Sequence, residues 1–214
     1  MKNVTIIDYG MNNIKSVERA ISEIGYNSVL SSNPNVILKS DRLILPGVGA
    51  FENGMKALYK VPNLISSIKE FVKTGKPLVA ICLGMQMLLD SSSENGQHVG
   101  LSLIPGEVNI IPNHNNKKLI RKIPHVQWNS LKIKNSYEQW KDTYLKNTSE
   151  DDFFYFVHSY MAVPKNENDC LAYCDYEGLM LPAVIKKDNV IGFQFHPEKS
   201  ARPGLKVLEN FMLE

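Results

Sequence analysis

The chain has 214 residues, of which 43% are hydrophobic and 21% charged, and its formal net charge is +2. This length suits one well-filled domain spanning residues 1–214, and the composition is globular, without bias toward disorder. The near-neutral charge gives no reason to expect a nucleic acid or an anionic membrane as partner, and no apolar run is long enough to span a bilayer. Because the first residues lack the features of a signal peptide, we expect a cytoplasmic protein.

Through residue 92, short β-rich runs alternate with amphipathic segments. The predicted strands are Asn3–Asp8, Asn27–Ser32, Asp41–Gly47 and Pro77–Cys82. The predicted helices are Asn12–Gly25, Phe51–Lys60, Asn63–Lys76 and Gly84–Ser92. The strand runs are apolar without strict alternation, which is typical of parallel strands covered on both faces.

After Gly106 the pattern changes to β-rich runs separated by polar turns, which indicates antiparallel strands. These runs are Gly106–Asn113, Lys117–Lys134, Asp151–Pro164, Cys170–Gly178, Leu181–Asp188 and Asn189–Glu198. Asp188-Asn189 is a plausible hairpin turn, and a last helix over Ser200–Glu214 would dock Leu205, Leu208 and Phe211. The sequence therefore predicts an α/β fold with a mixed, mostly parallel central sheet and an antiparallel extension.

The three cysteines are an odd number at uneven spacing, which fits neither a disulfide framework nor a zinc site with two ligand pairs. Cys170 and Cys174 are expected to be structural. Cys82 ends a predicted strand directly ahead of a helix, and Gly84 permits a sharp turn there. Such an elbow would raise the sulfur to the helix N-terminus, where a thiolate is favoured. The alternative for this lone cysteine is a buried core thiol.

The segment GFQFHPEKS carries a second chemical group. His196 and Glu198 flank Pro197 just after a predicted strand, and alternation places both side chains on one side of an extended backbone. A carboxylate can then fix the tautomer of the imidazole, and the imidazole can take a proton from a nucleophile and return it to a leaving group. With Cys82, these residues form a nucleophile, a base and an orienting acid.

A glycine-rich stretch, PGVG at residues 46–49, stands at the end of the predicted strand Asp41–Gly47. Its backbone N–H groups can stabilise an oxyanion if they point toward the same edge of the sheet. It lacks the lysine of a phosphate-binding loop and the spacing of a dinucleotide-binding turn. A plain turn is the alternative.

Together, the CLGMQ elbow, the PGVG loop and the HPE turn resemble the class I (triad) glutamine amidotransferases, in that family's order. Within the family, the segments DYGMNNIKSV, LPGVGAFENGM, GLSLIPGEV, YFVHSY and GFQFHPEKS are most similar to the glutaminase subunits of imidazole glycerol phosphate synthase. The resemblance covers nearly the whole chain. It implies a three-layer, flavodoxin-like fold that needs neither a cofactor nor a metal.

The resemblance also implies roles for individual residues. Cys82 would attack the carboxamide of L-glutamine, His196 would be the acid and base, and Glu198 would orient it. The residues implied in substrate binding and the oxyanion hole are Gly47, Gly49, Gln86, His158 and Ser159. The residues implied at a subunit interface are Asn13, Trp128, Tyr155 and Lys199.

In that family the ammonia passes to a (β/α)₈ cyclase subunit in a heterodimer. The cyclase makes imidazole glycerol phosphate and aminoimidazole carboxamide ribonucleotide in histidine biosynthesis. Here Val126-Gln127 stand where the family has Met-Gly, and Asn12 replaces a glycine. These departures leave open the alternative that this chain is a paralogous subunit, one that supplies ammonia to another synthase such as a surface-sugar amidotransferase.

Two other classes of protein share part of this pattern. A cysteine peptidase or related elbow-cysteine hydrolase would leave Gln86 and the PGVG loop without a role. A non-catalytic binding subunit would have no need for an intact triad.

Overall fold

The computed structural model describes residues 4–10, 13–114, 120–133 and 140–213. The strands are β1 (Val4–Ile7), β2 (Ser28–Ser31), β3 (Arg42–Gly47), β4 (Leu78–Cys82), β5 (Ser91–Ser92), β6 (His98–Val99), β7 (Gly106–Ile110), β8 (His125–Ser130), β9 (Phe153–His158), β10 (Tyr160–Pro164), β11 (Cys170–Tyr176), β12 (Leu179–Lys187) and β13 (Val190–Phe193). The helices are α1 (Ile14–Glu23), α2 (Pro34–Lys39), α3 (Phe51–Lys60), α4 (Leu64–Lys73), α5 (Leu83–Met87) and α6 (Ala201–Leu213). Short 3₁₀ turns cover Glu167–Asp169 and Pro197–Lys199.

A 7-stranded sheet in the order β11-β12-β13-β4-β3-β1-β2 forms the centre of the molecule. The strands β13, β4, β3, β1 and β2 are parallel to one another, whereas β12 is antiparallel to both β13 and β11. This arrangement confirms the predicted mostly parallel sheet with an antiparallel extension.

Both faces of the central sheet are buried, which explains the continuous apolar runs of its parallel strands. Ile6 and Ile44 belong to the cluster that contains the buried residues of α1 and α6. Their neighbours Ile7 and Leu45 point to the opposite face and join the cluster of α3, α4 and α5. Each such aliphatic side chain, removed from water, contributes about 1.5–3 kcal/mol. The result is three layers with the sheet in the middle.

The segment predicted as one strand over Asp151–Pro164 is divided at Ser159. β9 pairs with β8 as a two-stranded ribbon, while β10 pairs with β7 in a second sheet of order β10-β7-β5-β6. The backbone carbonyl of Ser159 accepts a hydrogen bond from Ile111 at 3.0 Å, which anchors the division. The ribbon is thereby left beside the central sheet instead of extending it.

The predicted helix over Gly84–Ser92 was wrong in its second half. α5 ends at Met87, and Ser91-Ser92 form β5, which pairs with β6 and β7. The Asp90 carboxylate accepts a hydrogen bond from the Gly106 N–H at 2.9 Å, so contacts with a distant segment outweigh local helical preference.

Other boundaries also moved. α2 was not predicted, although Asn33 caps it and Pro34 begins it, both common at helix starts. The run predicted over Lys117–Lys134 contains β8 only at His125–Ser130, and its residues 117–119 and 134 lie outside the described part of the chain.

The last helix and the predicted hairpin turn are present. In α6, Leu208 and Phe211 are fully buried and Leu205 is partly buried against the same cluster. Asp188 and Asn189 connect β12 to β13. Within the described residues, none of the helices has the length and apolarity that crossing a membrane requires.

Candidate active site

The carboxyl ends of three adjacent parallel strands form the edge where open α/β sheets usually bind ligands. β4 ends at Cys82, its neighbour β3 ends at Gly47 directly beside it, and β13 on the other side ends at Phe193. The chain after Phe193 carries His196 and Glu198 toward the same edge. Residues more than 100 positions apart in the sequence therefore meet there.

Cys82 occupies a strained elbow between β4 and α5. Its φ is 54° and its ψ is −111°, a conformation that costs a non-glycine residue about 1–3 kcal/mol. The elbow is held by close packing, because a Cβ on Gly84 would lie 2.1 Å from the Leu45 carbonyl oxygen. A Cβ on Gly47 would lie 2.7 Å from the Gly84 nitrogen. The two glycines thus allow α5 to approach β3 closely enough to hold the thiol at the sheet edge.

Cys82, His196 and Glu198 lie together at this edge. His196 Nδ1 lies 2.7 Å from Glu198 Oε1, and the His196 side chain lines the same cavity as Cys82 and interacts with it electrostatically. The side chains of His196 and Glu198 are 1% and 0% exposed, so this pair is shielded from bulk water. The geometry is that of a nucleophile, a base and an orienting carboxylate.

The charge state of His196 follows from its two partners. Burial by itself lowers the pKa of the imidazole, but the Cys82 and Glu198 side chains, through hydrogen bonding and charge, outweigh it and raise the pKa to about 10. A ring with this pKa is protonated at neutral pH, so His196 carries a positive charge beside Cys82 and Glu198. Because the pKa exceeds the ordinary 6.5, its contribution to stability is complete below about pH 6.5 and is lost as the pH rises through about 10.

We expect the Glu198→Gln substitution to lower the pKa of His196, because it removes one of the negative charges that favour the imidazolium. Histidine ring NMR across the pH range measures this directly, with Glu209→Gln on the exposed side of α6 as the control. Glutamine still accepts a hydrogen bond and partly positions the ring, so the loss of turnover should be smaller than in His196→Ala. An unchanged pKa in Glu198→Gln would contradict the assigned pairing.

Asn13 also contacts the orienting carboxylate. Its side-chain amide donates to Glu198 Oε1 at 2.5 Å, although the two residues are 185 positions apart. Asn13 is the N-cap residue of α1, yet its side chain makes no capping hydrogen bond. The interface role implied for Asn13 stays a prediction. The structure adds a contact that sequence reasoning missed.

A cavity of about 380 Å³ opens at the sulfur of Cys82. Four of the five residues expected to bind substrate line it, and these are Gly49, Gln86, His158 and Ser159. Gly47 is not among the lining residues and packs behind them against α5. Val48 contributes to the wall beside Gly49, whose φ of +94° suits a glycine. The volume lies within the range of small-molecule sites.

The side-chain amides of Gln86 and Gln194 form a chain of contacts that ends at Cys82. Gln86 Nε2 donates to the Tyr160 carbonyl and to Gln194 Oε1, both at 3.0 Å, and Gln194 Nε2 lies 3.7 Å from Cys82 Sγ. Sequence reasoning missed Gln194. The signal was present, because Gln194 is two residues before His196 and alternation in the predicted strand Asn189–Glu198 places both on one side, although β13 itself ends at Phe193.

Glu94 is a second residue that sequence reasoning missed. It lines the cavity, and its carboxylate accepts a hydrogen bond at 2.7 Å from the backbone N–H of Phe51, which is the first residue of α3. It follows the short β5 strand that the helix prediction obscured. A carboxylate at this position can attract a cationic group of a ligand.

His158 is one of two neighbouring buried histidines. Its Nδ1 donates to the Tyr160 carbonyl at 2.8 Å, so its Nε2 accepts from His125 Nδ1 at 2.9 Å. Burial is the main cause that lowers the pKa of His125 to about 4 and that of His158 to about 3. Both rings are neutral near pH 7, so His158 adds no positive charge beside His196.

The remaining predicted interface residues lie on one side of the active site. Trp128 pairs with Tyr155 across the ribbon and is 48% exposed. The Tyr155 carbonyl accepts from the His196 N–H at 3.0 Å, and Lys199 is exposed in the following 3₁₀ turn. The described residues hold no cluster of three or more His, Cys, Asp or Glu side chains arranged to bind a metal ion.

The chain is similar to known proteins in both sequence and fold. Residues 5–214 match the family model described as glutamine amidotransferase class-I. Imidazole glycerol phosphate synthase subunit HisH 1 of Legionella pneumophila (strain Lens) is 48% identical over 212 residues, covering 99% of each chain. Subunit HisH of Aquifex aeolicus (strain VF5) is 46% identical over 96% of this chain and 94% of its own. The solved structure of PurLQS from Thermotoga maritima has the same fold, with a TM-score of 0.68 and 19% identity over 99% of this chain and 98% of that chain.

Proposed function

Because the chain belongs to the class-I glutamine amidotransferase family, and within it to the glutaminase subunits of imidazole glycerol phosphate synthase, we propose that Cys82, His196 and Glu198 hydrolyse L-glutamine to supply that synthase with ammonia. The observation that carries the residue assignment is that Cys82 and His196 line the same cavity of about 380 Å³, while Glu198 holds the His196 ring from behind at 2.7 Å. This cavity accommodates one amino acid.

The reaction proceeds in two steps. Cys82 Sγ attacks the carboxamide carbon of glutamine, and the proton held on His196 passes to the departing nitrogen, which leaves as ammonia. The resulting glutamyl thioester is then attacked by water. His196 accepts the water proton and returns it to the sulfur as glutamate departs. Glu198 keeps the ring in one orientation through both steps.

The lining of the cavity supports glutamine as the ligand. The backbone of Val48 and Gly49 lies beside Cys82 and can bind the oxyanion of the tetrahedral intermediate, each N–H contributing roughly 3 kcal/mol. The Glu94 carboxylate at the same cavity can pair with the α-ammonium group of the substrate. His158, neutral near pH 7, leaves His196 as the base.

The ammonia is proposed to pass to a (β/α)₈ cyclase subunit that docks on the exposed face of the β8–β9 ribbon. This face carries Val126, Trp128 and Phe153, which are 51%, 48% and 50% exposed. Exposed aromatic and aliphatic groups of this kind are typical of protein interfaces. The ribbon also contacts the triad, because the Tyr155 carbonyl binds the His196 N–H. A sealed passage keeps ammonia unprotonated, and unprotonated ammonia is the form that reacts as a nucleophile.

The histidine-pathway assignment is favoured over a paralogue serving a different synthase, because curated HisH subunits match this chain over nearly its full length. The unusual Val126-Gln127 pair lies on the ribbon, outside the triad. A change there adjusts the fit to a partner without altering the chemistry of Cys82.

We expect the purified chain alone to hydrolyse glutamine slowly, and the cyclase subunit to raise turnover by up to roughly 100-fold, the usual size of coupling between two sites, since an unpartnered glutaminase would waste glutamine. Glutamate release measured against cyclase concentration tests this. Trp128→Ala should require about thirtyfold more cyclase for half-maximal activation, the effect of losing an aromatic interface anchor. Tyr59→Ala is the control, since Tyr59 is 62% exposed on α3. Full activity without cyclase, or equal effects of the two variants, would contradict the proposed coupling.

A further inference from the structure

A second cavity lies at the opposite edge of the central sheet from the triad. It has a volume of about 470 Å³ and is larger than the cavity at Cys82. Its walls come from the amino ends of the strands whose carboxyl ends form the active site. Arg42 begins β3, Pro77 precedes β4, and Asn189 precedes β13. Asp142, Thr143 and Tyr144 close the remaining side.

Arg42 is the unusual residue in this cavity. It is only 2% exposed, and its Nε is buried with no hydrogen-bond partner in the described part of the chain. Its guanidinium carbon lies 5.5 Å from the centre of the Phe211 ring, a cation–π contact that offsets part of the lost hydration. Across residues 4–10, 13–114, 120–133 and 140–213, no carboxylate forms a salt bridge with it. A buried charge without a counter-ion is costly, and a bound anion is one arrangement that compensates it.

The other charges of the cavity are mixed. Lys76 and Lys186 are partly buried, and Lys76 Nζ donates to the Ser40 carbonyl at 2.8 Å. The acidic residues that line it are all exposed, and these are Asp41, Asp142 and Asp188. The cavity thus has a buried arginine in its wall and exposed carboxylates around it. This distribution disfavours a highly charged anion, since the outer carboxylates repel it, and favours a molecule that carries both signs.

We propose that this cavity binds a small α-amino acid, with the α-carboxylate on the Arg42 guanidinium and the α-ammonium group near Asp142 and Asp188. Arginine presents N–H donors in a planar fork that matches a carboxylate. The volume falls within the usual range of small-molecule sites and leaves room for a side chain. This proposal rests on the cavity alone and does not depend on the glutaminase assignment.

Isothermal calorimetry on the full chain tests the proposal, with Cys82 first alkylated by iodoacetamide so that the active-site cavity does not contribute. The probes are L-glutamate, L-leucine and L-histidine, each compared with its des-amino analogue glutarate, 4-methylpentanoate or imidazolepropionate. Inorganic phosphate is the anion control. At least one amino acid should bind. Arg42→Gln should lower the affinity for it by about thirtyfold, whereas Arg19→Gln on the exposed face of α1 should leave the affinity unchanged.

The acidic residues distinguish an amino acid from a simple anion. Asp142→Asn and Asp188→Asn should each weaken binding of the amino acid several-fold. Binding of the des-amino analogue should stay unchanged or become tighter. Asparagine tolerates the φ of 51° at Asp188, and Asp142 is exposed, so both variants should fold even if Arg42→Gln does not. The proposal is overturned if no amino acid binds at up to about 10 mM. It is equally overturned if phosphate or the des-amino analogues bind as well as the amino acids, or if binding is indifferent to the Asp142 and Asp188 substitutions.

Discussion

Replacing Cys82 by alanine should reduce glutamine hydrolysis by about 10⁴-fold or more, because no other group in the cavity can form the thioester. Synthesis by the complex with added ammonium salt should continue at the wild-type rate, since the proposal places the acceptor site on the cyclase subunit. His196→Ala should give the same pattern, as the ring is the proposed proton carrier between sulfur and leaving nitrogen. Glutamate release and ammonia-dependent product formation, measured on the same preparations, separate the two activities.

The control for this experiment is Cys170→Ala. Cys170 is also a buried cysteine, but it lies on β11 and does not line the cavity at Cys82. The Cys170→Ala variant should hydrolyse glutamine at a rate within about twofold of the wild type. Residual hydrolysis in Cys82→Ala close to that of the wild type would show that another residue is the nucleophile. Loss of ammonia-dependent synthesis would indicate instead that the substitution disrupts the complex.

Gly84→Ala should cost about 3 kcal/mol or more of the free energy of unfolding, and glutamine turnover should fall with it. The added Cβ would lie 2.1 Å from the Leu45 carbonyl oxygen, a separation that atoms in folded proteins do not tolerate. Leu45 cannot move away, because β3 is held between β1 and β4 at the centre of the sheet. The strain must therefore be relieved by lifting α5, which displaces the sulfur of Cys82 from His196.

Gly25→Ala is the matched control for Gly84→Ala. Gly25 has a φ of +85°, and no atom lies within 4 Å of the position that the added methyl group would take, so only the backbone strain of about 1–2 kcal/mol is expected. Urea denaturation monitored by circular dichroism compares the two variants, and glutamate release in the presence of the cyclase reports the active site. Equal destabilisation of both variants, or normal turnover in Gly84→Ala, would contradict the packing account of the elbow.

Local patterns were sufficient where neighbouring residues decide the structure. The apolar spacing of Ile14, Val17 and Ile21 predicted α1, and all three side chains are buried on one face. The same reasoning failed after Met87, because Asp90 and the β5 strand pair with β7, and such pairing leaves no trace in the local sequence. The division at Ser159 was missed for the same reason, since its two halves pair with different strands.

The candidate site was only partly accessible to sequence reasoning. The residue types of Cys82, His196 and Glu198 and the resemblance of their motifs to a known family pointed to the chemistry. Gln194 lay within one of those motifs and alternation could have found it, since it lies two residues before His196 in the predicted strand Asn189–Glu198. Asn13 could not be placed on Glu198, because nothing near either residue along the chain indicates the other.

The sequence by itself determined the order of most helices and strands, the amidotransferase family and the groups available for catalysis, since periodicity and motifs depend on residues close together in the chain. Only the tertiary structure decided which of these groups touch. It placed Asn13 on Glu198 and buried Arg42 without a counter-ion among the described residues at the far edge of the sheet. The physical reason is that such contacts depend on the strand order of the central sheet, which is set by burying apolar faces between segments that are distant in the sequence.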